Sequence, residues 1–324
     1  MALGTLGMTL RRLVDGLPAS VTRPIRVFAW VSVVVQLVNV LSGAAVRLTG
    51  SGLGCPSFPE CTPGSLVVTP EMGIHGLIEF SNRMVAVVLT VICVITFAFV
   101  SRLRRSRPGL YWLAFWVALG IPAQALIGGM SVLSKLNPYV VGLHFVLSVV
   151  LIVVATTLLY RVYEAPGPYR VVAPAGMWRL CMATAIAAAV AIVVGIITTG
   201  AGPHAGDADA PRNGLNPAIL EHVHSYPAYA MLALSLAVLY LSWNAGGSTR
   251  LYANALVGLE LVQIVVGVVQ ARLGVPALLV GAHMILACLL AIAMTALMLS
   301  LTRAGAPQNG SSGSIPTATN STVK

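Results

Sequence analysis

Eight stretches of about twenty or more largely apolar residues, at about 27–46, 73–100, 111–132, 139–160, 179–200, 218–243, 251–271 and 276–301, leave this chain few ways to fold. Each is long enough to cross a bilayer as a helix. Lipid offers no partner to a free N–H or C=O, so a spanning segment must satisfy its backbone internally. Continuous apolarity then means helices, because a β-barrel would alternate polar and apolar residues in segments of roughly ten. The expected fold is an all-α integral membrane protein with eight transmembrane helices. Only 9% of the 324 residues are charged, whereas 57% are hydrophobic. A soluble domain carries about a quarter charged residues. That scarcity excludes a soluble globular enzyme, a disordered chain and a small disulfide-stapled protein.

The net charge of +10 suggests no nucleic acid, because the bases punctuate the apolar runs instead of clustering on a polar face. Arg11, Arg12, Arg23 and Arg26 precede span 1, and Arg102, Arg104, Arg105 and Arg107 fill the 2–3 loop. Arg161, Arg170 and Arg179 flank the 4–5 loop, and Arg250, Arg303 and Lys324 complete that side. The remaining five, Arg47, Arg83, Lys135, Arg212 and Arg272, lie at the opposite ends. The positive-inside rule puts both termini in the cytoplasm, and the expected location is the cell (plasma) membrane, crossed several times. The opening residues lack a signal-peptide core and cleavage site, and the Ser/Thr/Gly/Pro-rich end reads as disordered.

The halves repeat each other. Gln124 is followed at +4 by Gly128 and at +20 by His144, and Gln263 by Gly267 and His283 at the same spacings. Thr49-Gly-Ser-Gly52 answers Thr199-Gly-Ala-Gly202, and Glu79-Phe-Ser-Asn82 answers Glu221-His-Val-His224. An even number of spans per repeat keeps both copies in one orientation, so two four-helix bundles are expected to be related by a pseudo-two-fold along the membrane normal. The expected organisation is a cytoplasmic segment at 1–26, an N-terminal half at 27–160, a cytoplasmic linker at 161–178, a C-terminal half at 179–303 and a tail at 304–324.

His75, His144, His222, His224 and His283 fall near the outer ends of the even-numbered spans, and His204 lies in the outer 5–6 loop. Ionisable groups are costly within a span, so a shared depth hints at function. Two helices that each supply an imidazole can clamp a haem iron. His224 and His283 form such a pair, whereas a lone intramembrane His commonly just bonds a neighbouring helix. In the first half Asn82 stands where His224 stands in the second. Either His75, two turns before it, ligates from a shifted depth, or the iron keeps an open face. Glu79 suits a proton acceptor near a reacting centre, and its bland alternative is an ion pair with Arg83 at i+4. Glu221 is its counterpart, expected to orient His224, and Glu260 reads as structural or proton-conducting. Cys55 and Cys61, six residues apart in an outer loop, permit a disulfide, structural or redox-cycling. Cys93, Cys181 and Cys288 read as apolar fillers.

The string from Ser42 to Pro56, Ser-Gly-Ala-Ala-Val-Arg-Leu-Thr-Gly-Ser-Gly-Leu-Gly-Cys-Pro, running on to Cys61, resembles the first outer loop of the haem A synthase family. Glu79 to Arg83, Gly128-Gly-Met-Ser-Val-Leu, His144 and the histidines of spans 6 and 8 fit as well. The resemblance covers about residues 27–301. It implies an enzyme that oxidises the C8 methyl of haem O to a formyl group, giving haem A for aa3-type cytochrome oxidase, by successive hydroxylation and loss of water. It also implies haem b held by His224 and His283, with Glu221 behind them. The substrate haem O would lie by His144, with His75, Asn82 and Arg83 as further candidates, Glu79 as the catalytic residue, and Cys55 and Cys61 as the outer-loop pair. The chain departs from better-known members at Asn82, where they carry a second His, so bis-His ligation of the substrate haem is not implied. An actinobacterial-like branch would tolerate that change. Implied partners are haem O, the haem O synthase that supplies it, membrane lipid and a second copy of the chain. The rivals are a bis-His transmembrane b-type cytochrome that leaves haem unaltered and a transporter, the latter weakened because the ionisable groups gather at the outer end.

Overall fold

The computed structural model describes residues 16–243 and 247–305. The bases Arg11, Arg12 and Lys324, most of the N-terminal segment and the tail from 306 lie outside the described residues. The described residues form eight long helices: α1 (Arg23–Leu48), α2 (Gly73–Ser101), α3 (Pro108–Leu133), α4 (Pro138–Arg161), α5 (Ala175–Ala201), α6 (Pro217–Ser242), α7 (Gly247–Arg272) and α8 (Ala277–Ser300). All eight are long and apolar enough to cross a membrane. The chain is a multi-pass membrane protein.

Local chemistry sets the helix ends. Proline stands at the first or second position of α1, α3, α4 and α6, where its missing N–H costs no helical bond. Asn137 and Asn216 cap α4 and α6, their side-chain oxygens accepting from backbone N–H groups of the first turn. The turn after α3 places Lys135 and Leu136 at φ of 50° and 60°, and that after α7 places Gly274 and Val275 at 74° and 61°. In each turn an N–H reaches back over the helix end, Leu136 to the Ser131 carbonyl and Val275 to the Gln270 carbonyl, both at 2.7 Å. A left-handed conformation is costly for Leu and more so for Val. Leu136 is held there by packing with Ala205 and Ala210. The two halves therefore turn alike with different residues.

Within each half the helices close a ring: α1 packs on α2, α2 on α3, α3 on α4 and α4 on α1, and α5 to α8 repeat these pairings. The rings meet through α1 with α8, α4 with α8 and α4 with α5. Each ring has its own apolar core, around Leu89, Val117 and Leu158 in the first and Leu256, Val238 and Leu297 in the second. A third cluster, including Val40, Ile152 and Cys288, fills the seam. Large apolar side chains such as Trp30, Leu41, Trp116 and Leu261 face outward, as lipid contact requires.

Both ends of the bundle are laced across the halves. On the outer side Arg47 donates to the carbonyls of His204 (2.7 Å) and Thr199 (3.2 Å), and the Gly52 N–H donates to the Gly206 carbonyl (2.7 Å). At the other end two short antiparallel strands, β1 (Tyr169–Val171) and β2 (Thr302–Ala304), pair the 4–5 connection with the residues after α8. Arg161 pairs with Glu164, donates to Thr302 (3.0 Å) and lies 3.5 Å over the Tyr169 ring. Apolar periodicity carries no signal for this clasp. It takes in Ala304, which the sequence reading assigned to the tail.

Candidate functional site

The site candidates gather at the outer ends of the even-numbered helices. His224 on α6 and His283 on α8 face each other with ring centroids 6.2 Å apart. Two imidazole–metal bonds of about 2 Å each plus the two ring radii come to about 6 Å, so one metal atom fits between them. Each ring lies over a glycine of a neighbouring helix. A Cβ on Gly195 of α5 would come within 2.8 Å of His224 Cε1, and one on Gly267 of α7 within 3.2 Å of His283 Cε1. Nδ1 of both rings is buried without a hydrogen-bond partner. A buried ring nitrogen without a partner is costly unless a ligand engages that nitrogen. Among the described residues no cluster of three or more His, Cys, Asp or Glu could hold a bare metal ion. Two facing imidazoles instead suit a haem iron, whose other four ligands come from the macrocycle.

His144 on α4 repeats the arrangement of His283. Its Nδ1 is likewise buried without a partner, and a Cβ on Gly128 of α3 would approach its Cε1 to 3.0 Å. The spacing shared by Gln124 and Gln263 becomes the same contact in both halves: Gln124 Nε2 donates to the His144 carbonyl at 3.0 Å and Gln263 Nε2 to the His283 carbonyl at 3.1 Å. Gln124 also donates to Ser148. These bonds tie α3 to α4 and α7 to α8 at the level of the imidazoles. Each contributes about 0.6 kcal/mol, the usual size for an interhelical bond in lipid.

In the first half no imidazole stands where His224 stands in the second. Asn82 lies beside Gly43 of α1, its Nδ2 donating to Ser42 Oγ (2.8 Å) and to the Asn39 carbonyl (3.5 Å). His75 is exposed, with Nδ1 2.9 Å from Ser51 Oγ, and it lines an open outer depression of about 640 Å³ with Met72 and Asp207.

Glu79 and Glu260 are the buried carboxylates among the described residues. Glu79 Oε1 accepts from Arg83 (2.8 Å) and Oε2 from the Cys55 backbone N–H (2.7 Å). Arg83 also donates to the carbonyls of Cys55, Ser57, Pro59 and Glu60. Cys55 and Cys61 are disulfide-bonded and fully buried. Glu79 and Arg83 therefore form the ion pair that the sequence reading weighed, and together they clamp the cystine loop onto α2. The sequence offered i+4 spacing as a signal for the pair; nothing in it marked the four carbonyls.

Other candidates fall elsewhere. Glu221 is exposed, and its carboxylate has no hydrogen-bond partner among the described residues, so the structure does not bring it to His224. His222 is exposed and bonds the Ala218 carbonyl of its own helix; His224, two residues on, is the one that faces His283. His204 bonds the Val275 carbonyl (2.8 Å) and serves the outer lacing. Glu260 accepts from Ser235 (2.6 Å) while its Oε2 is buried without a partner. Cys93, Cys181 and Cys288 are free and buried. Sequence reasoning missed Gly195 under the His224 ring and Gly43 beside the Asn82 amide. The available signal was a small residue in an otherwise bulky span one helix away from a polar one.

Residues 67–295 match the COX15-CtaA family, described as cytochrome oxidase assembly protein. A protein of Lysinibacillus sphaericus named heme A synthase is 34% identical over 146 residues, 44% of this chain and 46% of the relative. Proteins of the same name from Listeria welshimeri and Bacillus mycoides are each 30% identical, over 43% and 39% of this chain and 46% and 41% of theirs. The matched stretch spans under half the length of these curated relatives.

Proposed function

The chain belongs to the COX15-CtaA family of cytochrome oxidase assembly proteins, and on that premise we propose that it is a haem A synthase, an oxidoreductase that converts the C8 methyl of haem O to a formyl group. The observation that carries the reading is the division of labour between halves. One half offers two facing imidazoles. The other offers one imidazole and a buried carboxylate fixed from both oxygens.

In this reading His224 and His283 hold haem b as the resident cofactor, which supplies electron relay when bound. His144 binds the iron of the substrate haem. Glu79 accepts a proton given up as the methyl is hydroxylated and oxidised, the electrons passing to an oxidant outside the chain and the formyl oxygen entering by that hydroxylation. Arg83 and the Cys55 N–H hold that carboxylate in place, so orientation does not have to be found in each turnover. The cystine loop is bonded to Glu79 and Arg83 at the outer end of the N-terminal half. Residues 27–160 are the substrate half and 179–303 the cofactor half, with a pseudo-two-fold between them. The protein sits in the plasma membrane with cytoplasmic termini, takes haem O from a haem O synthase, and can associate with a second copy of itself.

Expression of the full chain with a haem O source, followed by pigment extraction and chromatography, tests the activity. Haem A or hydroxylated haem O is expected. Haem O recovered unchanged beside a well-folded, haem-loaded protein would refute the assignment.

A further inference from the structure

Four positions share one architecture: a polar side chain on an even-numbered helix set against a glycine of the preceding helix. His144 on Gly128, His224 on Gly195 and His283 on Gly267 present imidazoles, and Asn82 beside Gly43 presents an amide. The amide is already engaged. Its nitrogen donates to Ser42 Oγ and the Asn39 carbonyl, and the Ser42 hydroxyl itself donates to that same carbonyl (2.9 Å). A carboxamide is a poor ligand for haem iron, and this one is tethered to α1. With its nitrogen committed, its carbonyl oxygen is left as an acceptor.

Among the described residues no nearby group replaces the missing imidazole. His75 lies seven residues before Asn82, about 10 Å along the helix, exposed and bonded to Ser51 in the outer loop. Glu79 and Arg83 are committed to each other and to the cystine loop. Gly43 leaves space under Asn82, where even an added Cβ would meet Nδ2 only at an ordinary 3.8 Å.

We propose that the N-terminal half binds the substrate iron through His144 alone and keeps, at Asn82, a hydrogen-bonding pocket for a small exchangeable ligand that brings its own O–H donor, of which water is the simplest. The inference rests on the haem-binding reading above. It makes Asn82 a positioning residue for that ligand and separates the sites by coordination, one low-spin with two imidazoles and one open.

The test uses the full chain, purified in detergent from cells that make haem O, with carbon monoxide as the probe of an open iron position. High-spin signal from about half of the bound haem is expected in the oxidised protein, and carbon monoxide should bind that same half after reduction. Asn82→His should convert the open half to low-spin and lower carbon monoxide binding at least about tenfold. Asn82→Ala should keep carbon monoxide binding but change the spectrum of the oxidised high-spin haem, and His75→Ala should change neither. Bound haem O that is wholly low-spin and inert to carbon monoxide in wild type overturns the inference, whatever the variants do, and leaves the synthase assignment standing if haem A is still formed. Low-spin haem that becomes open in His75→Ala overturns it in favour of His75. Open, carbon monoxide-binding haem without any haem A supports the inference and refutes the assignment. Failure to retain haem O overturns both.

Discussion

The outer ends of α2 and α6 occupy corresponding places in two rings of helices with the same packing order, yet their polar side chains are held differently. On α6 a single imidazole, His224, points at His283, while Glu221 three residues earlier is exposed and without a hydrogen-bond partner among the described residues. On α2 the matching carboxylate, Glu79, is buried and doubly bonded, and the imidazole is replaced by an amide tied to α1. The difference traces to the covering loop. The cystine loop supplies an N–H and four carbonyls that neutralise the cost of burying Glu79 and Arg83, and a buried ion pair persists only with such extra bonds. The repeated scaffold carries the positions; the loop decides what can be buried there.

Removing one imidazole should separate the halves most sharply. His224→Ala or His283→Ala should abolish the low-spin haem spectrum, while His144→Ala spares most of it; optical spectra of purified protein that showed equal losses from all three would collapse the two-site comparison. Next in size, Glu79→Gln should keep bound haem and lower product formation by at least about 100-fold, the scale of general acid–base catalysis. Turnover that stays unchanged would leave Glu79 with the ion pair as its only role.

Filling a cradle should act on one half alone. Gly195→Leu puts side-chain carbons where His224 sits and should empty the C-terminal haem site, and Gly128→Leu should do the same beneath His144; haem-to-protein ratios and spectra read which site is lost. Arg83→Gln removes the counter-charge of a mostly buried carboxylate and should destabilise by about 2 kcal/mol, below the 3–5 kcal/mol of a fully buried pair because Arg83 keeps some exposure. Thermal unfolding in detergent, compared with the exposed Glu221→Gln, measures it. The smallest effect expected is from Gln263→Leu, about 0.6 kcal/mol for one interhelical bond, visible as a slight loss of haem retention on heating.

Much of the architecture was readable because lipid imposes simple rules. The apolar runs located all eight helices to within a few residues, since a spanning segment has to be long, apolar and helical. The repeat of Gln, Gly and His at fixed spacing turned out to be a repeated contact, Gln to the His carbonyl and glycine to the ring. Pairing of Glu79 with Arg83 was available from helical spacing, as was a disulfide between Cys55 and Cys61 from their separation and side. By contrast, Glu221, the counterpart of Glu79, was expected to orient His224, and the structure leaves it exposed, because burial of a charge depends on loops that the repeat does not copy.

What the sequence determined by itself is the class of molecule, the helices and the short inventory of polar residues inside them, because each follows from hydropathy and periodicity over one segment. Only the tertiary structure decided which of these meet. That His224 and not His222 faces His283, that His75 turns to Ser51, that Asn82 is anchored on α1, and that Arg83 grips a loop more than twenty residues upstream are contacts between elements. A single segment carries no record of its neighbour's face, and in a bundle of apolar helices it is those faces that select where a polar group finds its partner.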